Sequence, residues 1–224
     1  MKIGLLIAIE RELQAFLALG SEIHEEQVNH RTVYRAGICG HTVYALCSGC
    51  GEIDAAAGTQ LLITRFGCEQ MLNFGVTGAL VPSLRVEDLF IARRVCHYDY
   101  DTSPIDPVKK HQYTEFADEF IPLDDEGIRL ARKVFPALRE TSVASGDRFI
   151  ENRKEKEHLA ALGCEICDME LAAIARTCFL NQVPCISVKC ISDTFDGTGA
   201  DFAANVERSA RKAFSVLLEI IKAL

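Results

Sequence analysis

"KIGLLIAIERELQ", Lys2 to Gln14, sets a nearly continuous apolar run, Lys2 to Ile9, directly before the charged triplet Glu10, Arg11 and Glu12. An apolar run without alternation, bounded by polar residues, is the pattern of a strand covered on both faces. Such a strand belongs in the middle of a sheet with helices on either side. The same charges cut the run short of a signal-peptide core, so the expected compartment is the cytoplasm.

Strand-like and helix-like segments alternate after this point. "RTVYRAGICGHTVYALCSGCG", Arg31 to Gly51, reads as two β-rich segments hinged at Gly40, and "EIDAAAGTQLLITRF", Glu52 to Phe66, as an Ala/Leu-rich helix. "MLNFGVTGAL", "DLFIARRV" and "PCISVKCIS" are further strands, "TSVASGDRFI" a strand running into a loop, and "DDEGIRLARKVF" and "RKEKEHLAAL" helices. From Asp201 a stripe of Phe202, Val206, Ala210, Ala213, Phe214, Leu217 and Ile221 has helical spacing and predicts a long terminal helix. The series predicts one α/β domain over residues 1–224, three layers α/β/α around a mixed twisted sheet, since the early hairpin excludes a simple doubly wound order. The one long excursion is Tyr98 to Asp118, with Pro104 and Pro107.

Composition narrows the partners. The 224 residues are 49% hydrophobic with a formal charge of -8, so nucleic acid and anionic membrane surfaces are disfavoured and a small molecule or another protein is expected. No uncharged apolar stretch approaches the ~20 residues of a membrane span. Ten cysteines include two Cys-x-x-Cys pairs, Cys47/Cys50 and Cys164/Cys167, which could together form a zinc site. Their position in or beside apolar strand-like runs favours burial as small hydrophobes, with no metal.

Ligands of α/β sheets gather beyond the carboxyl ends of strands. Three acidic groups fall there: Glu12 after the first strand, Asp168 and Glu170 in "ICDMELAAIA", and Asp193 after "CISVKCIS". Each has a plainer reading, as an exposed first-turn acid for Glu12, a helix cap for Asp168 and Glu170 with Asp168 at or near the N-cap, and a turn residue for Asp193. The glycine-rich "NFGVTGAL" raises the joint reading, because Gly75 and Gly78 around Val76 and Thr77 allow backbone to approach a ligand. It has neither the dinucleotide nor the P-loop spacing, which points to an uncharged ligand rather than NAD or ATP.

Taken in order, "IGLLIAIERE", "SGCGEIDAAAGTQLL", "NFGVTGAL", "SGDRFI", "DMELAAIA" and "ISD" resemble the 5'-methylthioadenosine/S-adenosylhomocysteine nucleosidases of the purine nucleoside phosphorylase superfamily. The resemblance runs from Lys2 to the final helix. It implies a nucleoside phosphorylase-like fold, a homodimer, an adenine nucleoside as substrate, a place in methionine salvage and no metal or organic cofactor. Residue by residue, it makes Glu12 the acid that activates water and Asp193 the acid that protonates the departing adenine. Glu170 would bind the ribose hydroxyls above Asp168, Met169 would pack beneath the sugar, Phe149 would stack on the purine and the Ile150 backbone would read its edge. Ala8, Ile9, Val76, Thr77, Gly78 and Ser192 complete the expected pocket. Ile105 would reach the 5' group from a neighbouring subunit, with Phe202 as a further wall.

The chain departs from the family where Val76 replaces a common serine and Lys189 a common arginine, which keeps the charge without the planar fork. A phosphorylase would need a cationic anchor near the glycine motif, where Asn73 and Phe74 stand, so hydrolysis is the expected chemistry. The alternatives are a futalosine-type or other nucleoside hydrolase, and a nucleoside-binding homologue with weak catalysis.

Overall fold

The structure is a computed structural model and describes residues 1–20 and 22–224. β1 (Lys2–Ile7) leads into α1 (Glu10–Leu17), and β2 (His24–Val28), β3 (Arg31–Ile38) and β4 (His41–Cys47) follow. Next come α2 (Glu52–Phe66), β5 (Gln70–Ala79), β6 (Leu89–His97), the short β7 (Ile121–Pro122), α3 (Asp125–Val134) and β8 (Arg139–Ser145). The chain ends with α4 (Arg153–Ala161), β9 (Ile166–Asp168), α5 (Leu171–Asn181), β10 (Cys185–Asp193) and α6 (Gly199–Ala223).

Local chemistry sets several of these limits. Asp124 and Asn152 cap α3 and α4 by accepting two N–H bonds each, and Gly67, left-handed at φ 67°, ends α2. α6 starts before Asp201 because the Asp201 carboxylate accepts the N–H of Thr198, a cap that precedes the apolar stripe. β2 was not expected. Its sequence HEEQV is exposed along most of its length, as an edge strand can be, and carries no apolar alternation to mark it.

All the strands join one mixed sheet in the order β10-β6-β8-β9-β5-β1-β4-β3-β2, with β7 on β6. β10 also pairs in parallel with β5, so β5, β10, β6, β8 and β9 close on themselves and β1 to β4 extend from β5 as an open wing. This differs from a sheet open throughout. The closure sets Gly78 of β5 level with Asp193 of β10 on one side and Cys167 of β9 on the other. β10 is buried along its whole length and β5 nearly so, because α1, α3 and α6 pack on one face and α2 and α5 on the other. The layers are therefore α/β/α. A smaller apolar cluster, including Cys96, Cys164 and Cys167, lies under α4.

All ten cysteines are free thiols, and seven are buried. Among the described residues no group of three or more His, Cys, Asp or Glu is arranged to hold a metal, and no helix is long and apolar enough to cross a membrane. The excursion after β6 has no helix or strand until β7. Tyr100 stacks on Tyr113 at 4.0 Å between ring centres, and Arg176 of α5 lies 4.6 Å from the Tyr113 ring.

Candidate active site

A cavity of about 520 Å³ opens at the carboxyl ends of β1, β5, β8, β9 and β10. The turn after β1 contributes Ala8 and Ile9, the first turn of α1 Glu12, and β5 Val76, Thr77 and Gly78. Phe149 and Ile150 come from the segment after β8, and Asp168, Met169 and Glu170 from the β9–α5 junction. Ser192 and Asp193 end β10, and Phe202 reaches in from α6, edge-on to Phe149 with ring centres 5.6 Å apart. Of the residues that the sequence assigns to the pocket, only Lys189 and Ile105 do not line this cavity. Glu10, Arg11, Cys50, Arg148 and Cys167 line it although none of them is expected there from the sequence; Cys50 and Cys167 are members of the two Cys-x-x-Cys pairs, and the others fall within or beside a motif.

Glu12 is 2% exposed, not the solvated first-turn acid that its position in α1 would allow. Its Oε1 accepts the Val76 N–H at 2.8 Å and its Oε2 the Ile9 N–H at 3.3 Å. Burial raises its pKa, while the Val76 amide, the charge of Lys189 and the Ile9 amide pull the other way. The carboxylate lies so close to β5 that a Cβ on Gly75 would fall 2.7 Å from Oε1.

Asp193 is 3% exposed, the last residue of a buried strand rather than a turn residue. The Ser192 hydroxyl donates to its Oδ1 at 2.8 Å. Burial raises its pKa, against the Ser192 bond and the charge of Lys156. A Cβ on Gly78 would meet Asp193 Oδ2 at 2.9 Å and Cys167 Sγ at 3.2 Å. Gly75 and Gly78 thus admit two carboxylates, where the sequence reading had them admit backbone to a ligand.

Glu170 is buried, and its Oε1 accepts the Gly51 N–H at 3.0 Å. Burial first, then the neighbouring Asp168 charge, pushes its pKa up to about 7. Asp168 ends β9 and is not the N-cap of α5, a position held by Glu170; its Oδ1 accepts the Leu171 N–H at 3.3 Å. Lys189 stands behind this wall, fully buried, with Nζ 2.6 Å from Asp168 Oδ2. A buried ammonium needs a counter-charge or a set of acceptors, and Asp168 gives Lys189 the first. Burial lowers its pKa, but Asp168, with Glu170 and Glu12, outweighs that and the net shift is upward.

Lys156 gave no signal in the sequence, where "RKEKEHLAAL" reads as an alternating charged face. It is fully buried, and its Nζ donates to the carbonyls of Thr194, Phe195 and Gly197, holding the segment that follows Asp193. Ile105 is 84% exposed in the excursion.

The phosphorylase superfamily profile matches residues 2–222. A Desulfotalea psychrophila protein named 5'-methylthioadenosine/S-adenosylhomocysteine nucleosidase is 30% identical over 232 residues, covering 100% of this chain and 98% of its own. A Helicobacter pylori protein named aminodeoxyfutalosine nucleosidase is 28% identical, covering 100% of this chain and 99% of its own. The crystal structure of a Helicobacter pylori 5'-methylthioadenosine/S-adenosylhomocysteine nucleosidase, complexed with an amino-pyrrolopyrimidine carried on an alkynylthiomethyl pyrrolidinol, matches with a TM-score of 0.94 at 28% identity, covering 100% of this chain and 99% of that one. With the fold, the order of its motifs and a full-length match all in agreement, the chain belongs to the phosphorylase superfamily and, within it, to the 5'-methylthioadenosine/S-adenosylhomocysteine nucleosidase family.

Proposed function

We propose that this chain, acting as one domain, hydrolyses the N-glycosidic bond of 5'-methylthioadenosine and S-adenosylhomocysteine, releasing adenine and the thioribose product that methionine salvage consumes. The observation that carries this reading is the pair of buried carboxylates held against Gly75 and Gly78, with Glu170 in the same cavity. Gly75 and Gly78 lie on one strand, β5, so both acids are anchored to the same element at the floor of the cavity.

Breaking the bond builds positive charge on the sugar, so one acid must protonate the leaving purine while the other deprotonates water on the opposite face. Glu12 suits the base, since two main-chain N–H groups favour its ionised form. Asp193 suits the acid, because burial raises its pKa and its side-chain donor is a single rotatable hydroxyl, that of Ser192. Glu170 accepts from the ribose hydroxyls, Met169 supports the sugar, Phe149 stacks on the base and the Ile150 backbone reads its edge. Val76 offers water no hydroxyl, so water is placed by Glu12 and the main chain.

The second reading, an aminodeoxyfutalosine nucleosidase, uses the same acids with another 5' group and is supported by the relative of that name matched along its whole length. Purified protein incubated with methylthioadenosine, adenosylhomocysteine, aminodeoxyfutalosine, inosine and adenosine, with and without phosphate, separates these readings by which substrate releases free base. A phosphate requirement would make the enzyme a phosphorylase, and no release at all a nucleoside-binding homologue. The protein is also proposed to act as a cytoplasmic homodimer in which Ile105 closes the neighbour's 5' pocket. The exposed side chains of Ile53, Ile105, Phe179 and Leu180 support an apolar contact, and light scattering tests it.

A further inference from the structure

Each of α2 and α5 begins under a carboxylate supplied by the other. Gly51, which precedes α2, donates its N–H to Glu170, the residue before α5. In return Glu52, the first residue of α2, accepts the Ala173 N–H of α5 through Oε2 and the Ser145 hydroxyl through Oε1 at 2.7 Å. That hydroxyl accepts the Ala172 N–H at 3.1 Å. The first amides of a helix have no partner inside it, and here those of each helix find one through the other.

Glu52 is 6% exposed and does not line the cavity, so the mechanism above leaves it without a role. A carboxylate sequestered in this way is costly unless its bonds are needed where they are. Its own N–H donates to Asp147 Oδ1 at 2.7 Å, two residues before Phe149. Gly51 has φ 101°, and a Cβ there would fall 2.8 Å from Asp147 Oδ1, so this turn admits only glycine. One turn therefore ties the segment that holds the base to the helix that holds the sugar carboxylate.

We propose that Glu52 is a positioning residue, which fixes Glu170 through this exchange of carboxylates and so sets the enzyme's preference for a sugar with a 2'-hydroxyl. The inference rests on the reading of Glu170 as the ribose acceptor. With Glu52 removed, the first turn of α5 loses its tie at Ala173, the Ser145 hydroxyl that holds Ala172 loses its own anchor, and Glu170 moves with them.

The test compares wild type, Glu52→Ala and Glu52→Gln on methylthioadenosine and its 2'-deoxy analogue. Glutamine keeps an acceptor for Ala173 and offers a donor to Ser145. The alanine variant should raise KM for the riboside about tenfold and for the deoxy analogue about twofold, with kcat changed less than about threefold. Glutamine should restore most of the difference. Equal losses on both substrates, or no loss, would overturn the proposal. Should Glu52→Ala not fold, Ser145→Ala weakens the same link and should shift the riboside alone, by about threefold. If the wild type releases no base from any nucleoside, the nucleosidase reading falls, and hydrogen exchange then judges the link by itself. Faster exchange at both Gly51 and Ala173 in the alanine variant supports it, and unchanged exchange overturns it.

Discussion

Glu12 and Asp193 are both buried carboxylates pressed against a glycine of β5, yet their donors differ in number and in kind. At the Gly75 end, Glu12 accepts two main-chain N–H groups that cannot move and can only favour its ionised form, with Lys189 adding to them. At the Gly78 end, Asp193 accepts one hydroxyl from its neighbour Ser192, and the segment beyond it is held at a distance by Lys156. The difference shows how one cavity can hold a base and an acid of the same chemical type. What separates them is the supply of donors, fixed donors for the group that must stay charged and a rotatable one for the group that must give up a proton.

The hardest test of this contrast is to remove one acid at a time. Glu12→Gln and Asp193→Asn should each lower kcat/KM by ~100- to 10,000-fold while leaving the fold intact. In the wild type, activity should fall as pH drops through the raised Glu12 pKa, because the base must be ionised, and fall as pH rises through the raised Asp193 pKa, because the acid must be protonated. Residual activity of Glu12→Gln should lose only the acidic limb, and that of Asp193→Asn only the alkaline one. Loss of the same limb in both variants would break the assignment.

The glycines come next in size. Gly75→Ala should displace Glu12 and Gly78→Ala should displace Asp193, each by a few tenths of an ångström or more, with a loss of about 10- to 100-fold in kcat. The two variants should differ in their pH profiles as their acids do. Near-wild-type turnover in either would show that the close approach is not needed.

Lys156→Met should have a smaller effect on rate and a clearer one on stability. Three carbonyls, two of them fully buried, would lose their donor, at about 1–3 kcal/mol at most for each buried one, which thermal unfolding would report as a lower Tm. Since the charge of Lys156 lowers the Asp193 pKa, its removal should move the alkaline limb to higher pH. A limb that stays in place would confine Lys156 to a structural part.

The smallest effect is a slope in stability. Glu52, facing Asp168 and Glu170, has its pKa raised from 4.5 to about 8, mainly by burial, so the folded state holds a proton that the unfolded chain gives up. Its contribution to stability is fully present below 4.5 and is lost as pH rises through about 8. Glu52→Gln should flatten the urea midpoint over that window, and an unchanged slope would assign it to other groups.

The alternating apolar runs of the sequence were enough to place nearly every element, because a strand covered on both faces has no reason to carry polar residues. They missed β2, whose edge position asks for none of that pattern, and the two-residue β7, too short to show one. The acids at the strand ends were legible as candidates because their places follow from where strands stop. Their burial was not, since Glu12 in a first turn and Asp193 before a glycine-containing segment also fit a solvated surface.

What the sequence determined by itself is the α/β class, the order of the elements and the residues at the carboxyl ends of β1, β5, β9 and β10, all of which depend on neighbours along the chain. Only the tertiary structure decided that β10 returns to β5 and closes the ring, that Gly75 and Gly78 make room for carboxylates, that Lys189 pairs with Asp168, and that Glu52 and Glu170 cap each other's helices. The pairs in these contacts lie from 21 residues apart (Lys189 and Asp168) to 121 (Glu52 and Ala173), and the local periodicity that marks a strand or helix carries no information about which distant segment will lie beside it.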